Sequence, residues 1–132
     1  MSGAGAALQV AASAAVAALE GLTGVYPGPA LQAALPYAIV ESGSESDWSH
    51  KSGRGREMRL IVTVRAGGER PMSALALADQ VEAAIEGGVD PVGWTLASLR
   101  FLRRFSLSEG GRGERRWSVT IEWRARMLEA QA

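Results

Sequence analysis

The residues with catalytic potential in this chain are few, and they lie together between Asp47 and His50. His50 is the only histidine and the chain has no cysteine, so histidine pairs, thiolate metal sites and cysteine nucleophiles are excluded. Asp47, Ser49 and His50 are the residue types of a nucleophilic triad, but a triad needs groups that converge in space rather than in sequence. A lone histidine in a Gly/Ser-rich segment is most often solvated. We therefore predict a protein that is not an enzyme.

Phosphate and cation sites are the next possibilities. The glycine–arginine segments 53–55 and 110–113 lack the strand-to-helix context of a phosphate-binding loop. Asp79, Glu82 and Glu86 share one face of a predicted helix, where they can bind a cation. Such a row is more often a solvated or partner-facing surface. The prediction is that the protein has no metal site and no cofactor.

Arginine supplies the strongest signal for binding to other macromolecules. Residues 100–126 contain eight arginines and three glutamates, a net charge of +5, whereas residues 79–90 contain four acids and no base. A subunit with a basic end and an acidic helix can pair with copies of itself, although two solvated faces would produce the same pattern. The candidate lumen or subunit-interface residues are Arg100, Arg104, Arg124, Arg126, Asp79, Glu82 and Glu86.

Trp48 is a large aromatic residue in an otherwise polar segment. Its side chain either packs against its own domain or anchors in a partner. Arginines with an exposed tryptophan can also contact nucleic acid, but the formal net charge of zero argues against a dedicated nucleic-acid-binding protein. The candidate partner-interface residues are Asp47, Trp48, Lys51, Arg54, Arg56, Arg112, Arg115 and Arg116.

The elements that position these residues can be predicted from apolar periodicity, within one domain over 1–132. Apolar residues at three- and four-residue steps predict a first helix from Ala4 to Gly21. A second helix runs from Ser73, a plausible N-cap, to Glu86. The apolar run of the first helix is mostly alanine, is too short for a membrane span and lacks a basic leader, so a soluble protein is expected.

Strand signals complete the expected fold. Tyr37–Val40 reads as a first strand and Glu57–Arg65 as a half-buried one, and a long hairpin follows with its tip at 108–115. The intervening segments are a turn at Val25–Pro29 and a long mobile loop at 41–56. In the hairpin, one predicted face carries Leu99, Phe101, Phe105, Leu107, Trp117 and Trp123. The expected fold is α+β, an antiparallel sheet of about four strands with two helices packed on one face.

Several segments together resemble the tail-terminator, or tail-completion, proteins of long-tailed phages, prophages and gene transfer agents. The resemblance covers about Val25 to Leu128 and rests on the order and spacing of the segments. They are Leu35-Pro36-Tyr37, Asp47-Trp48-Ser49 followed by Lys51, Gly55-Arg56-Glu57, Arg59 to Val64, Ala76 to Val81, Trp117-Ser118-Val119 and Ile121 to Ala125.

The resemblance implies a homohexameric ring that caps the tail tube, stops its polymerisation and joins the tail to the head-side connector protein. DNA passes through the lumen, and the family's functional loops map onto 41–56 and 109–115. It further implies a virion protein at the head–tail junction, assembled in the bacterial cytoplasm without a membrane partner. Two alternatives stay open, a head-completion or neck protein on the portal side and a generic α+β protein-binding module.

Overall fold

A computed structural model describes residues 3–30 and 32–130. The described residues form two helices and five strands, with three strands between the helices and two strands after the second helix. In chain order they are α1 (Ala4–Ala17), β1 (Gly24–Tyr26), β2 (Tyr37–Asp47), β3 (Gly55–Gly67), α2 (Met72–Gly87), β4 (Trp94–Glu109) and β5 (Arg116–Glu129). The expected α+β class is confirmed. No helix among the described residues is both long enough and apolar enough to cross a membrane.

The strands form one sheet in the order β1-β2-β3-β5-β4, with one strand more than the sequence predicts. The additional strand is β1, where we expected a turn, and it pairs in parallel with the start of β2. β1 has only three residues because Pro27 follows it, and proline has no N–H to offer the ladder. The other three pairings are antiparallel.

The predicted loop at 41–56 is much shorter in the structure. β2 continues to Asp47 and β3 begins at Gly55, so only residues 48–54 connect the two strands. Serines and glutamates have weak strand propensity, but pairing with β3 extends β2 through 41–47 despite an irregularity between Ser42 and Glu45. The hairpin tip is close to its predicted position, with residues 110–115 between β4 and β5.

The core lies between the two helices and one face of the sheet. Met58, Leu60, Val62 and Val64 alternate inward along β3 as predicted, and all four are buried. The helix α2 contributes its predicted stripe of Leu77, Val81 and Ile85 to the same cluster. The helix ends differ from expectation. Helix α1 stops at Ala17, four residues early, and the N-cap of α2 is Pro71 without a side-chain hydrogen bond, so Ser73 lies inside the first turn.

β4 changes faces along its length, which the sequence does not predict. Its register against β5 shifts between Leu96 and Ser98 and again between Phe101 and Arg103, so each shift adds one extra residue to β4. Phe101 therefore faces the helices, opposite Trp123, whereas Phe105 and Leu107 lie on the other face, opposite Thr120 and Ser118. The expected single apolar face through Phe101, Phe105 and Leu107 is wrong, and all three side chains are exposed by more than a third.

Candidate functional site

The two arginine-bearing turns predicted to contact partners lie at opposite ends of the sheet. β3 begins at Gly55, beside the turn at 48–54, and ends at Gly67, which pairs with Arg116 next to the hairpin tip. With a rise of about 3.3 Å per residue, a strand of this length separates the two turns by roughly 40 Å. A subunit of this shape presents basic groups at two ends that can contact two different neighbours.

At the first end, Trp48 packs against its own domain, which was one of the two expected arrangements. Its half-buried ring meets His50 edge-on, with centroids 4.5 Å apart. The Arg126 guanidinium carbon lies 5.5 Å from the Trp48 ring centroid, a cation–π arrangement. Because Trp48 is still partly exposed, it remains available at the rim of a contact.

The neighbours of Trp48 do not form a catalytic triad. Ser49 Oγ donates a hydrogen bond of 2.7 Å to Asp47, while the His50 ring packs edge-on against Trp48. Arg56 lies 3.8 Å from Glu45, so it is paired within the subunit. Lys51 and Arg54 are exposed. In the described part of the chain no group of acidic or histidine side chains is arranged to hold a metal ion.

At the second end, the hairpin tip is held to the loop that precedes α2. The Gly68 N–H donates to the Arg115 carbonyl over 3.1 Å, and the Gly113 N–H donates to the Glu69 carboxylate over 3.0 Å. Arg112 is exposed at the tip. Arg116, where β5 begins, lies 3.8 Å from Glu109 and is partly neutralised by it.

The face of the sheet away from the helices, here called the open face, carries a row of arginines. Register places Arg59 on β3, Arg124 on β5 and Arg100 on β4 directly beside one another. Adjacent strands are about 4.8 Å apart, and like charges directly opposite each other destabilise a sheet. Arg59 was not among the predicted site residues, because only the strand register reveals that it joins Arg100 and Arg124.

Glu57 is the carboxylate that offsets this row. Arg126 Nε donates to Glu57 over 2.8 Å, and Arg124 Nε lies 3.8 Å from the same oxygen. The hydrogen bond from Arg126 lowers the pKa of Glu57 below its ordinary value, and the charges of Arg126, Arg124 and Arg59 act in the same direction. Glu57 thus stays ionised to lower pH in the folded chain than in the unfolded one.

This pKa shift predicts a loss of stability in acid. Because the folded-state pKa of Glu57 is depressed, its contribution is fully present above the unfolded-state pKa and disappears as pH falls through the folded-state value. Urea unfolding midpoints of the native chain and of Glu57→Gln should therefore converge as pH is lowered from 7 to 3. The matched control is Glu20→Gln, at an exposed carboxylate just beyond α1, which should keep the pH dependence of the native chain. Parallel curves for the native chain and Glu57→Gln would contradict the assignment.

The predicted acidic row on α2 is used within the subunit. Arg104 Nη1 lies 2.7 Å from Asp79 and 3.4 Å from Glu82, and its other terminal nitrogen donates to the Leu75 carbonyl. Glu86 accepts a hydrogen bond of 3.4 Å from the Trp123 indole. The register shift before Arg103 turns Arg104 toward the helices, which brings it to these acids. Arg100, Arg124 and Arg126 lie on the open face instead.

Arg104 is expected to contribute more to stability than an unpaired arginine of the same strand. Its side chain is only 21% exposed and binds two carboxylates, so Arg104→Ala should lower the free energy of unfolding by about 1–2 kcal/mol. Arg100→Ala is the control, because Arg100 makes no ion pair or hydrogen bond with described residues, and it should change stability by less than about 0.5 kcal/mol. If the two substitutions lowered the free energy of urea unfolding equally, the contact between Arg104 and the α2 acids would contribute nothing to stability.

Comparisons with known proteins agree with this fold. A chain from the solved virion of a native gene transfer agent particle is 24% identical to this chain, with a TM-score of 0.77. The match covers 96% of this chain and 99% of that chain, so the two share a fold over nearly their whole lengths. No curated protein matches the sequence. Residues 7–126 match the family described as tail completion protein gp17. The chain therefore belongs to the tail completion protein gp17 family and is a structural protein of a phage tail rather than an enzyme.

Proposed function

We propose that the protein is a tail terminator, a homohexameric ring that caps the tail tube, stops its polymerisation and joins the tail to the head-side connector. The observation that carries this proposal is the pair of basic turns at opposite ends of a subunit from a tail completion family. A ring between a tube and a connector needs a different partner on each of its two faces. A subunit with binding turns at both ends of one rigid sheet meets that requirement.

Helix α1 offers additional surface for contacts between subunits. It contains no charged residue, and its outward side exposes alanines together with Val10, which is 70% exposed. An uncharged surface helix whose outward side is largely apolar, here interrupted only by Gln9 and Ser13, is usually covered by another surface. Covering this surface with a neighbouring subunit fits the proposed ring. Head-to-tail contacts of unlike surfaces close into rings when the rotation between subunits allows closure.

Passage of DNA through the lumen rests on the open-face arginines. Arg59, Arg100 and Arg124 form a basic row, and such a row can contact phosphate without reading sequence. Location at the head–tail junction of a virion is part of the same proposal. It is supported by the family and by the shared fold with a chain of a gene transfer agent virion.

The first test is the mass of the protein in solution, alone and mixed with the tail-tube protein of the same particle. A hexamer, or a ring that caps tubes and stops their growth, is the expected result. A subunit that remains monomeric at high concentration and leaves tube length unchanged would overturn the proposal. Binding to the portal side without any effect on tubes would instead favour the neck-protein alternative.

The two turns also predict that only one end of the subunit contacts the tail tube. The double variant Lys51→Ser/Arg54→Ser removes exposed charges at one end of the subunit, and Arg112→Ser/Arg116→Ser removes exposed charges at the other. One of the two should lose tube capping by about tenfold or more while the ring itself still forms, because the contact is confined to one end. Electron microscopy of tube lengths measures this. An equal loss in both variants would contradict separate partners at the two ends.

A further inference from the structure

We infer that neighbouring subunits join by pairing the outer edge of β4 with the acidic part of β2 in the next copy, so that the sheet continues from subunit to subunit. This inference rests on the proposed ring and names the surfaces that close it. It differs from the sequence-level idea that the acids of α2 pair with the basic end of another copy.

β4 is a long edge strand with an uncovered outer side. It lies last in the sheet, and among the described residues no strand pairs with its outer backbone groups. An exposed edge of this length is a template for pairing with another chain. Phe101, Leu102, Phe105 and Leu107 on this strand are 37–58% exposed, so covering the edge would also bury apolar surface.

The opposite edge of the sheet offers a complementary strand. β1 covers β2 only from Tyr37 to Ile39, and within the described chain the outer edge of residues 41–47 is unpaired. That segment contains Glu41, Glu45 and Asp47 and no basic residue. The irregularity between Ser42 and Glu45 makes this edge a poor template for strands in general. The three acids instead favour a partner strand that carries positive charge.

Charge selects β4 as that partner. Residues 99–105 of β4 contain three arginines and no acid. Arg103 is paired with Glu122 and Arg104 with the α2 acids, so Arg100 is the arginine left to oppose the acids of 41–47. Arg100, at the outer end of the open-face arginine row, has no partner within the described subunit, and Glu41 lies on the same face of the sheet. Two β4 edges brought together would place arginines against arginines, so a symmetric dimer through β4 is disfavoured.

Strand direction is compatible with a ring. β2 and β5 run in the same direction, opposite to β3 and β4. When two subunits stand side by side in the same orientation, β4 of one is therefore antiparallel to β2 of the next. The β4 edge and the β2 edge are different surfaces, so the contact is head-to-tail, as in a ring that closes by rotation. The free segment 41–47 also stands at the same level of the sheet as residues 96–103 of β4, as their shared register through β3 and β5 shows.

A charge exchange tests the pairing. Arg100→Glu and Glu41→Arg should each raise the subunit concentration needed for ring formation by about tenfold or more, because each places like charges across the joint. The double variant Arg100→Glu/Glu41→Arg should recover most of that loss. Mass measurement at several concentrations reads out assembly, and circular dichroism of each variant verifies folding. Rings that form equally well in all three variants would overturn the inference.

Cysteine cross-linking gives a second test that does not depend on charge, and the absence of native cysteine makes it specific. Ser46→Cys/Ala97→Cys places one exposed thiol on each edge, and a flexible bismaleimide should yield a ladder of linked subunits up to the ring size. The control Ser46→Cys/Ser108→Cys puts the second thiol at the far end of β4 and should give no ladder. A native ring without the Ser46–Ala97 ladder would overturn this inference and leave the tail-terminator proposal standing. A native chain that forms no ring, with or without tubes, would overturn both.

Discussion

Replacing Trp123 by alanine is expected to lower the free energy of unfolding by about 3–5 kcal/mol, the largest effect of any single truncation in this chain. Trp123 is the largest fully buried side chain. It sits in the middle of β5, opposite Leu60 on β3 and Phe101 on β4, with both helices above the same face. Truncation leaves a cavity, and the backbone hydrogen bonds of the neighbouring strands keep the sheet from closing over it. The substitution also removes the hydrogen bond from the Trp123 indole to Glu86.

Urea unfolding followed by circular dichroism measures this change without relying on tryptophan fluorescence. Trp48→Ala is the matched control, because Trp48 is half-buried on the rim and should cost no more than about 1.5 kcal/mol. If Trp123→Ala proved as mild as Trp48→Ala, the core would not be centred on β5 as described.

Replacing Gly55 by alanine is expected to cost about 1–3 kcal/mol through overpacking at the start of β3. A Cβ at this position would overlap the Trp48 carbonyl oxygen and approach Leu128 Cδ2 at 3.0 Å. The Trp48 backbone cannot withdraw freely, since its N–H donates to the Gly55 carbonyl over 2.9 Å. The substitution therefore strains the turn that carries Trp48, Lys51 and Arg54.

The stability of Gly55→Ala should be compared with that of Gly111→Ala in the hairpin tip. No atom lies within 4 Å of a Cβ at Gly111, so that substitution should stay within about 0.5 kcal/mol of the native chain. If the turn at 48–54 contacts a partner, Gly55→Ala should also weaken that contact more than Gly111→Ala does. A Gly55→Ala chain as stable as the native one would show that this turn can move without cost.

The features predicted correctly from sequence are those governed by local periodicity. Met58, Leu60, Val62 and Val64 alternate with polar residues at the strand period of two, and all four are buried. The α2 stripe through Val81 and the apolar face of β5 follow the same logic. The family resemblance rested on the order and spacing of such segments, and the match over residues 7–126 confirms it.

The features that sequence reasoning missed depend on long-range pairing. Residues 24–26 have turn-forming neighbours, and residues 41–47 are polar and weak in strand propensity. Both become strands because another strand is present to accept their backbone hydrogen bonds. The two register shifts in β4 likewise arise in the pairing with β5, and no residue type in β4 signals them.

For this protein, the sequence by itself determined the fold class, the core faces of β3, α2 and β5, and the family, because side-chain period and segment order are local properties. Only the tertiary structure decided on which face of the sheet each charged side chain lies and which partner it contacts. Register aligned Arg59, Arg124 and Arg100 on the open face, and a single extra residue in β4 turned Arg104 onto the acids of α2. The physical reason is that one residue of slip in a strand exchanges its two faces, so the position of every β4 side chain depends on a partner strand elsewhere in the chain.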